Sequence, residues 1–353
     1  MKYNTLRMFI ILIMMSLVFT TTACRSADEP SPEETPEVSD AEATDYFPFI
    51  PDTKFVYEGS GSEYADQTIF FDYIVGENAQ RRIQTAGTTV GQVIVAESGK
   101  IVLQYSEEEF YSFYPLLNEE ANQSEILLME PLQVGNEWEL EDGRVRIITD
   151  IEAAISTPYG DFSALEVTTE SDESVHKSYY VKDIGLVKSV FEPADASDAI
   201  ITELASVVEG YSWETDLRVY YPEWEEQNSV HKDFIVPNAT NESVESVMTY
   251  YLQQDPSIET AAAVLDDDTE IKSIVRQTEQ QQVTVDFNDA ITKRGMGSDF
   301  ESQMLQSIVN TIAGYYSVEK VVISVEGGPY ETGHFYLGPD DFLVPDTGNS
   351  EQI

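Results

Sequence analysis

Between Tyr46 and Val208 the chain is a succession of short β-branched and aromatic runs broken by turn residues. "TIFFDYIV" (68–75), "GQVIVAES" (91–98) and "KIVLQY" (100–105) are such runs, with Glu-Ser-Gly at 97–99 marking a hairpin between the last two. "GRVRIITDI" (143–151), "ALEVTTE" (164–170), "SYYVKD" (178–183) and "LVKSVF" (186–191) continue the pattern. "TPYGDF" (157–162) has turn chemistry, since Pro fixes one dihedral and Gly frees another. Helical spacing is scarce, and a short helix is expected only around Gln123 to Met129. "AIITELASVV" (199–208) fits either a strand or a helical stripe of Ile200, Leu204 and Val208. Many short strands at regular spacing predict a curved, mainly antiparallel β domain over 46–208.

After "EGYSWETD" (209–216) the rhythm changes. "LRVYYP" (217–222) reads as a strand, followed by a polar, insert-like stretch to Pro237. Asn241 is positioned to cap a helix from Glu242 to Gln254, whose stripe of Val244, Val247, Met248, Tyr251 and Leu252 has helical spacing. "IKSIVRQ" (271–277) and "QQVTVDFND" (281–289) are strands, with Val283, Val285 and Phe287 alternating inward. A second helix starts at Ser298 or Asp299, with Phe300, Met304, Ile308, Val309 and Ile312 on one face and Gly314 near its end. "VEKVVISVEGG" (318–328) closes the unit. The order is β-α-β-β-α-β, an α/β sandwich with helices on one face of a sheet. The whole chain is therefore expected to be α+β, with this second domain at 213–345 and a disordered tail at 346–353.

The first 23 residues have the layout of a secretory signal peptide: Lys2 and Arg7, then the apolar run "MFIILIMMSLVF" (8–19), then small and polar residues to Ala23. The run is too short to span a bilayer, which takes about 20 apolar residues. Cys24, the single cysteine of 353 residues, follows at once. Its setting resembles the lipobox of bacterial lipoproteins, with Thr21 where a Leu is usual, and the resemblance implies acylation of Cys24. Residues 24–45, rich in Pro, Glu, Ser and Asp, are expected to form a lipidated, disordered acidic tether.

The chain carries 19 Lys+Arg against 65 Asp+Glu, a formal net charge of −46. That excludes nucleic acid and an anionic membrane face as partners. The acids spread along the whole length, which fits a well-hydrated surface better than a calcium store. No catalytic residue is expected. A nucleophile needs a base within hydrogen-bond reach, and only His176, His231 and His334 are available. His176 and His334 read as surface or turn residues without partners. Asp286 and Asn288 read as turn-stabilising side chains, and "LDDDTE" (265–270) lacks the glycine and closing glutamate of an EF-hand loop. No phosphate loop or zinc spacing is present, so neither a cofactor nor a metal is expected. Tyr105, Phe110, Tyr111, Phe113 and Tyr114, in "YSEEEFYSFYP", form an aromatic cluster. It reads as a ligand platform or, more simply, as core and sheet edge.

"LRVYYP", "VTVDFNDA" (283–290), "QMLQSIVNTIAGYYSVEKVVISVEG" (303–327) and "TGHFYLGPDDFLVP" (332–345) together resemble the GerMN domain of sporulation and spore-germination lipoproteins. The resemblance implies a lipid-anchored protein on the extracytoplasmic face of the cell membrane that binds other envelope proteins, ring-forming self-association included, and does no catalysis. GerMN proteins often carry two tandem copies; here a β-rich region stands in place of one. "LLMEPLQVGNEWEL" (127–140) with the strands after it resembles a β-rich module of lipoproteins from spore-forming bacteria. A second expectation is a ligand-binding envelope lipoprotein, with a lipid, glycan or small molecule held in the curved sheet. A third is a cell-wall hydrolase, which needs two carboxylates about 5–9.5 Å apart.

Overall fold

The computed structural model describes residues 41–195, 198–224 and 229–353. The signal segment, Cys24 and the tether up to residue 40 lie outside the described residues. Residues 41–353 belong to one compact unit, and the fold is α+β.

The chain enters through a single helical turn, α1 (Ala43–Tyr46), and then builds a meander of six strands. These are β1 (Thr53–Ser60), β2 (Gln67–Val75), β3 (Asn78–Gln84), β4 (Thr89–Glu97), β5 (Lys100–Glu107) and β6 (Glu125–Met129). A second meander follows: β7 (Glu137–Glu139), β8 (Val145–Thr157), β9 (Gly160–Glu170), β10 (Ser174–Val181), β11 (Gly185–Pro193) and β12 (Ile200–Glu209). The two halves join where β12 pairs antiparallel with β1, giving one 12-stranded sheet with β6 and β7 at its ends. The hairpin at 97–100 is as the sequence predicts: Ser98 (φ 50°) and Gly99 (φ 74°) both take the left-handed conformation that a two-residue primed turn requires. Residues 123–129 are not helical. Glu125–Met129 pairs with β5, and that ladder overrides local helix preference.

The sheet curls until its ends face each other. The Trp138 indole N–H and the Arg146 guanidinium both donate to the Ile126 carbonyl, at 3.0 and 2.6 Å, and Arg146 also pairs with Glu125. The concave interior is packed with Ile94, Ile101, Leu103 and Leu128 from one half against Trp138, Ile148, Leu165 and Tyr180 from the other. Residues 43–50 fill the remaining space. Ala43 is buried and its N–H donates to Glu130 at 2.8 Å; the Phe47 ring lies 6.2 Å from Tyr180, and Phe49 5.7 Å from Phe71. The end of the expected tether is thus a short helix and a plug, because Ala43 and Phe47 bury apolar surface that a free tether would leave in water.

The second region opens with a hairpin, β13 (Trp213–Pro222) and β14 (Ser229–Asn238). The stretch read as an insert is therefore mostly strand, pairing along its whole length with β13. Helix α2 (Val244–Leu252) follows, capped by the Ser243 side chain, which accepts from the Ser246 N–H at 3.2 Å. Asn241 instead sits at φ 66° and ties the helix entry to β2: its side chain accepts from Ile74 N–H and its own N–H donates to the Asp72 carbonyl, each at 2.8 Å. Strands β15 (Ile271–Gln277) and β16 (Gln282–Phe287), helix α3 (Ser298–Tyr316), and strands β17 (Lys320–Val325), β18 (Gly328–Glu331) and β19 (Tyr336–Leu337) complete the core of this region. Helix α3 runs past Gly314, and Ser317 takes the left-handed cap (φ 54°).

Strands β15 to β19 form one sheet; the β13–β14 hairpin belongs to another, so the expected single sheet is two. Helix α3 touches both. Met304, Ile308, Val309 and Ile312 share a core with Val283, Val285 and Ile323, while Thr311 accepts from the Tyr220 N–H at 3.0 Å. Residues 350–352 are not a free tail. As β20 (Ser350–Gln352) they pair in parallel with β14, and the Ser350 hydroxyl meets His231 Nδ1 at 2.7 Å.

Candidate functional site

The aromatic cluster lies where the two regions meet. Phe110, Phe113 and Tyr114 are buried, Tyr105 is half-buried, and Tyr111 alone points out, 59% exposed. Their loop is held from below by charge. The β2–β3 pairing slips between Phe71 and Tyr73, and in that bulge the buried Asp72 meets the buried Arg82, Nε–Oδ1 2.6 Å and Nη2–Oδ2 2.8 Å. Gln80 donates to Asp72 at 3.0 Å and to the Tyr114 carbonyl at 2.9 Å, and accepts from the Leu116 N–H. The Arg82 guanidinium stacks within 5.0 to 5.7 Å of the rings of Trp213, Phe110 and Phe113.

From above, the second region grips the same loop. Arg276 pairs with Glu107 and stacks 5.1 Å from the Tyr114 ring, and its backbone N–H donates to the Tyr114 hydroxyl at 3.1 Å. The Tyr315 hydroxyl accepts from the Phe113 N–H at 2.9 Å, and Tyr114 meets Tyr316 edge to face. Phe110, Tyr114, Leu116 and Val93 consequently belong to the same apolar core as Val283, Phe287 and Ile308. Four of the five residues form a seam and are closed to an external ligand. Burial, with Glu107 adding to it, pushes the Tyr105 hydroxyl up to about 12.

The other candidates are spoken for. Asp286 accepts from the Ser324 hydroxyl and the Gly327 N–H at 2.7 and 2.8 Å, and Asn288 bridges Glu270 and Asp268, both as turn supports. His176 is half-buried and bonded to Ser189 at 2.7 Å, a departure from the expected solvent-facing side chain. His334 is exposed. In "LDDDTE", Asp266 accepts from Thr269 and pairs with Arg294. Among the described residues no three or more His, Cys, Asp or Glu are grouped to hold a metal ion, and no helix is long and apolar enough to cross a membrane.

The second region also presents a helix-free sheet face. Cross-strand rows on it are Ser273–Asp286–Ser324, Val275–Thr284–Val322 and Gln277–Gln282–Lys320, with Val275 47% exposed. Beyond its edge Tyr336, Phe342 and Val344 are exposed. In the middle row Val275 alone is an exposed apolar side chain, while Val322 is buried.

Sequence reasoning missed Asp72, Gln80 and Arg82. The signal was present: an acid in the middle of "FFDYI", opposite "QRR" across a turn of polar residues.

Comparison with known proteins bears on the second region. The family model described as "Germane: Sporulation and spore germination" matches residues 218–331. No curated protein matches the chain. Among solved structures, the tandem GerMN domains of the sporulation protein GerM from Bacillus subtilis align at 19% identity and TM-score 0.30, over 39% of this chain and 47% of that one. The chain thus spans less than half of that tandem structure. The first GerMN domain of the same protein aligns at 18% identity and TM-score 0.30, over 37% of this chain and 97% of that one. An exported protein from Bacteroides fragilis with a YmcC-like fold aligns at 11% identity and TM-score 0.29, over 46% of this chain and 99% of that one. The C-terminal part of the chain carries a GerMN-like domain.

Proposed function

We propose that this protein is a lipid-anchored lipoprotein on the extracytoplasmic face of the cell membrane, whose GerMN-like domain docks on another envelope protein in sporulation or germination. The observation that carries the reading is the family match over 218–331. Its support is the exposed apolar side chain of Val275 on the edge strand β15, and a signal-like segment ending at Cys24. The partner is met by surface complementarity, with no bond made or broken. A net charge of −46 steers the choice toward a partner with a basic or neutral surface.

The test is to image a fluorescent fusion through growth and starvation beside a Cys24→Ala copy. Concentration at the forespore boundary, lost in the Cys24→Ala cells, is the expected result. An even peripheral signal confined to growing cells sinks the sporulation assignment. Val275→Asp is expected to abolish crosslinks to the envelope partner while leaving the melting temperature within about 2 °C, since surface substitutions usually change stability by under about 0.5 kcal/mol.

A further inference from the structure

Arg81 and Arg82 are neighbours in sequence and point to opposite faces of β3. Arg82 turns to the seam and is paired with Asp72 through Nε and Nη2. Arg81 turns into the curled sheet, where among the described residues it has no carboxylate within salt-bridge distance. Its Nε and Nη2 donate to a single neutral oxygen, Gln92 Oε1, at 3.0 and 2.8 Å. The other arginines withdrawn from solvent, Arg82, Arg146, Arg276 and Arg294, all have carboxylates. In a chain with 65 acids to 19 bases, a guanidinium facing an apolar pocket and bonded to no acid among the described residues is the exception; Glu125, paired with Arg146, acts on it only at longer range. A charge withdrawn from water without a partner is costly.

The pocket that Arg81 lines has a volume of about 30 Å³ and walls of Phe47, Phe55, Tyr57, Phe71 and Leu186. It adjoins, through Phe55 and Ile184, a crevice of about 470 Å³ lined by Ile50, Pro51, Tyr159 and Val207. Asp183 and Glu209 stand on the crevice wall. What keeps the inner pocket small is the plug. The Phe47 ring lies 5.3 Å from the Arg81 guanidinium, covering its face. The plug's polar ties are few: Ala43 N–H to Glu130, Asp45 to Lys182 at 2.9 Å, and the Asp183 N–H to the Asp45 carbonyl at 2.8 Å.

We propose that the curled sheet binds a single-chain anionic amphiphile, its carboxylate or phosphate head on Arg81 and its apolar chain in the crevice beneath residues 47–53. The orientation follows from charge, because Asp183 and Glu209 repel an anionic head at the crevice and Arg81 attracts it within. Phe47 acts as a placeholder, covering the guanidinium by a cation–π contact and yielding to a ligand that offers an anion.

The probe is decanoate, with decanol as its uncharged counterpart, titrated against the purified protein by calorimetry and by melting temperature. Decanoate is expected to bind saturably and to raise the melting temperature with concentration. Arg81→Gln is expected to weaken it about tenfold or more, as loss of a charged hydrogen-bond partner does, and Arg81→Lys to recover part of the affinity. Phe47→Ala, which removes the competing ring, is expected to tighten it. Equal affinity of the wild type for decanol, or no saturable decanoate binding by both wild type and Phe47→Ala, overturns the proposal. So does decanoate affinity unchanged in a folded Arg81→Gln. Phosphate-headed decyl phosphate in place of decanoate tells which head group is preferred.

Discussion

Asp72 and Arg82 are both removed from solvent, with side chains 0% and 1% exposed, and each is the other's charge partner. Desolvation of two ions is expensive, so a pair like this adds little net stability over an apolar pair of the same volume. Its loss is another matter, because one ion is then left buried and uncompensated. Asp72→Ala is expected to cost about 3–5 kcal/mol in urea unfolding, whereas Asp72→Leu combined with Arg82→Met costs far less. A loss under about 1 kcal/mol in the single variant means that water reaches Arg82, and the seam is then looser than described. The pair's contribution is positional: it fixes the β2 bulge and, through Gln80, the loop bearing Phe110 to Leu116.

At the scale of elements, β20 hangs on β14 by three residues and by the His231–Ser350 contact. Burial lowers the His231 pKa from its ordinary 6.5, with Arg218 adding to the effect. A histidine lowered in the folded state favours folding fully above about 6.5, and that contribution is lost as pH falls toward the lowered value. Hydrogen exchange at Val230 to Lys232, corrected for intrinsic exchange, is therefore expected to lose protection between pH 7 and pH 5 in the wild type. In His231→Gln the rate, corrected for intrinsic exchange, should stay flat, and a parallel rise in both proteins removes His231 as the cause. Elements like these mark what the sequence could and could not disclose. β16 alternates Val, Val and Phe with polar residues, and β4 and β5 carry the β-branched runs "VIV" and "IVL", so their strand character shows directly. β3, "NAQRRIQ", and β14, "SVHKDFIVPN", do not read as strands, because their charged residues meet partners supplied by distant segments. The same holds for the cluster at 105–114. Its composition announces burial or binding, and only the tertiary neighbours Arg276 and Tyr315 decide between them.

For the molecule as a whole, one apolar core runs from Val93 and Phe110 to Ile308 and Phe287, although the sequence changes rhythm between them. Calorimetry is expected to give a single unfolding transition. Two resolved transitions would mean that the seam is too weak to couple the regions. The net charge of −46 opposes compaction, and salt screens it over a Debye length of about 10 Å at 0.1 M. Raising NaCl from 0.05 to 0.5 M is expected to increase the melting temperature by several degrees. A decrease would put attraction, not repulsion, in charge of the surface.

The plug that fills the curled sheet also lies at the start of the described residues. If Cys24 is held at a membrane and the remainder is bound to something that moves, a tug along the chain reaches residues 41–50 before it reaches the strands of the sheet. The contact of Ala43 with Glu130 and those of Asp45 with Lys182 and the Asp183 N–H follow one another along the chain, so they take that load in sequence and not together. The fold would therefore give way at its entrance under tension, peeling residues 43–50 out while the 12-stranded sheet stays whole.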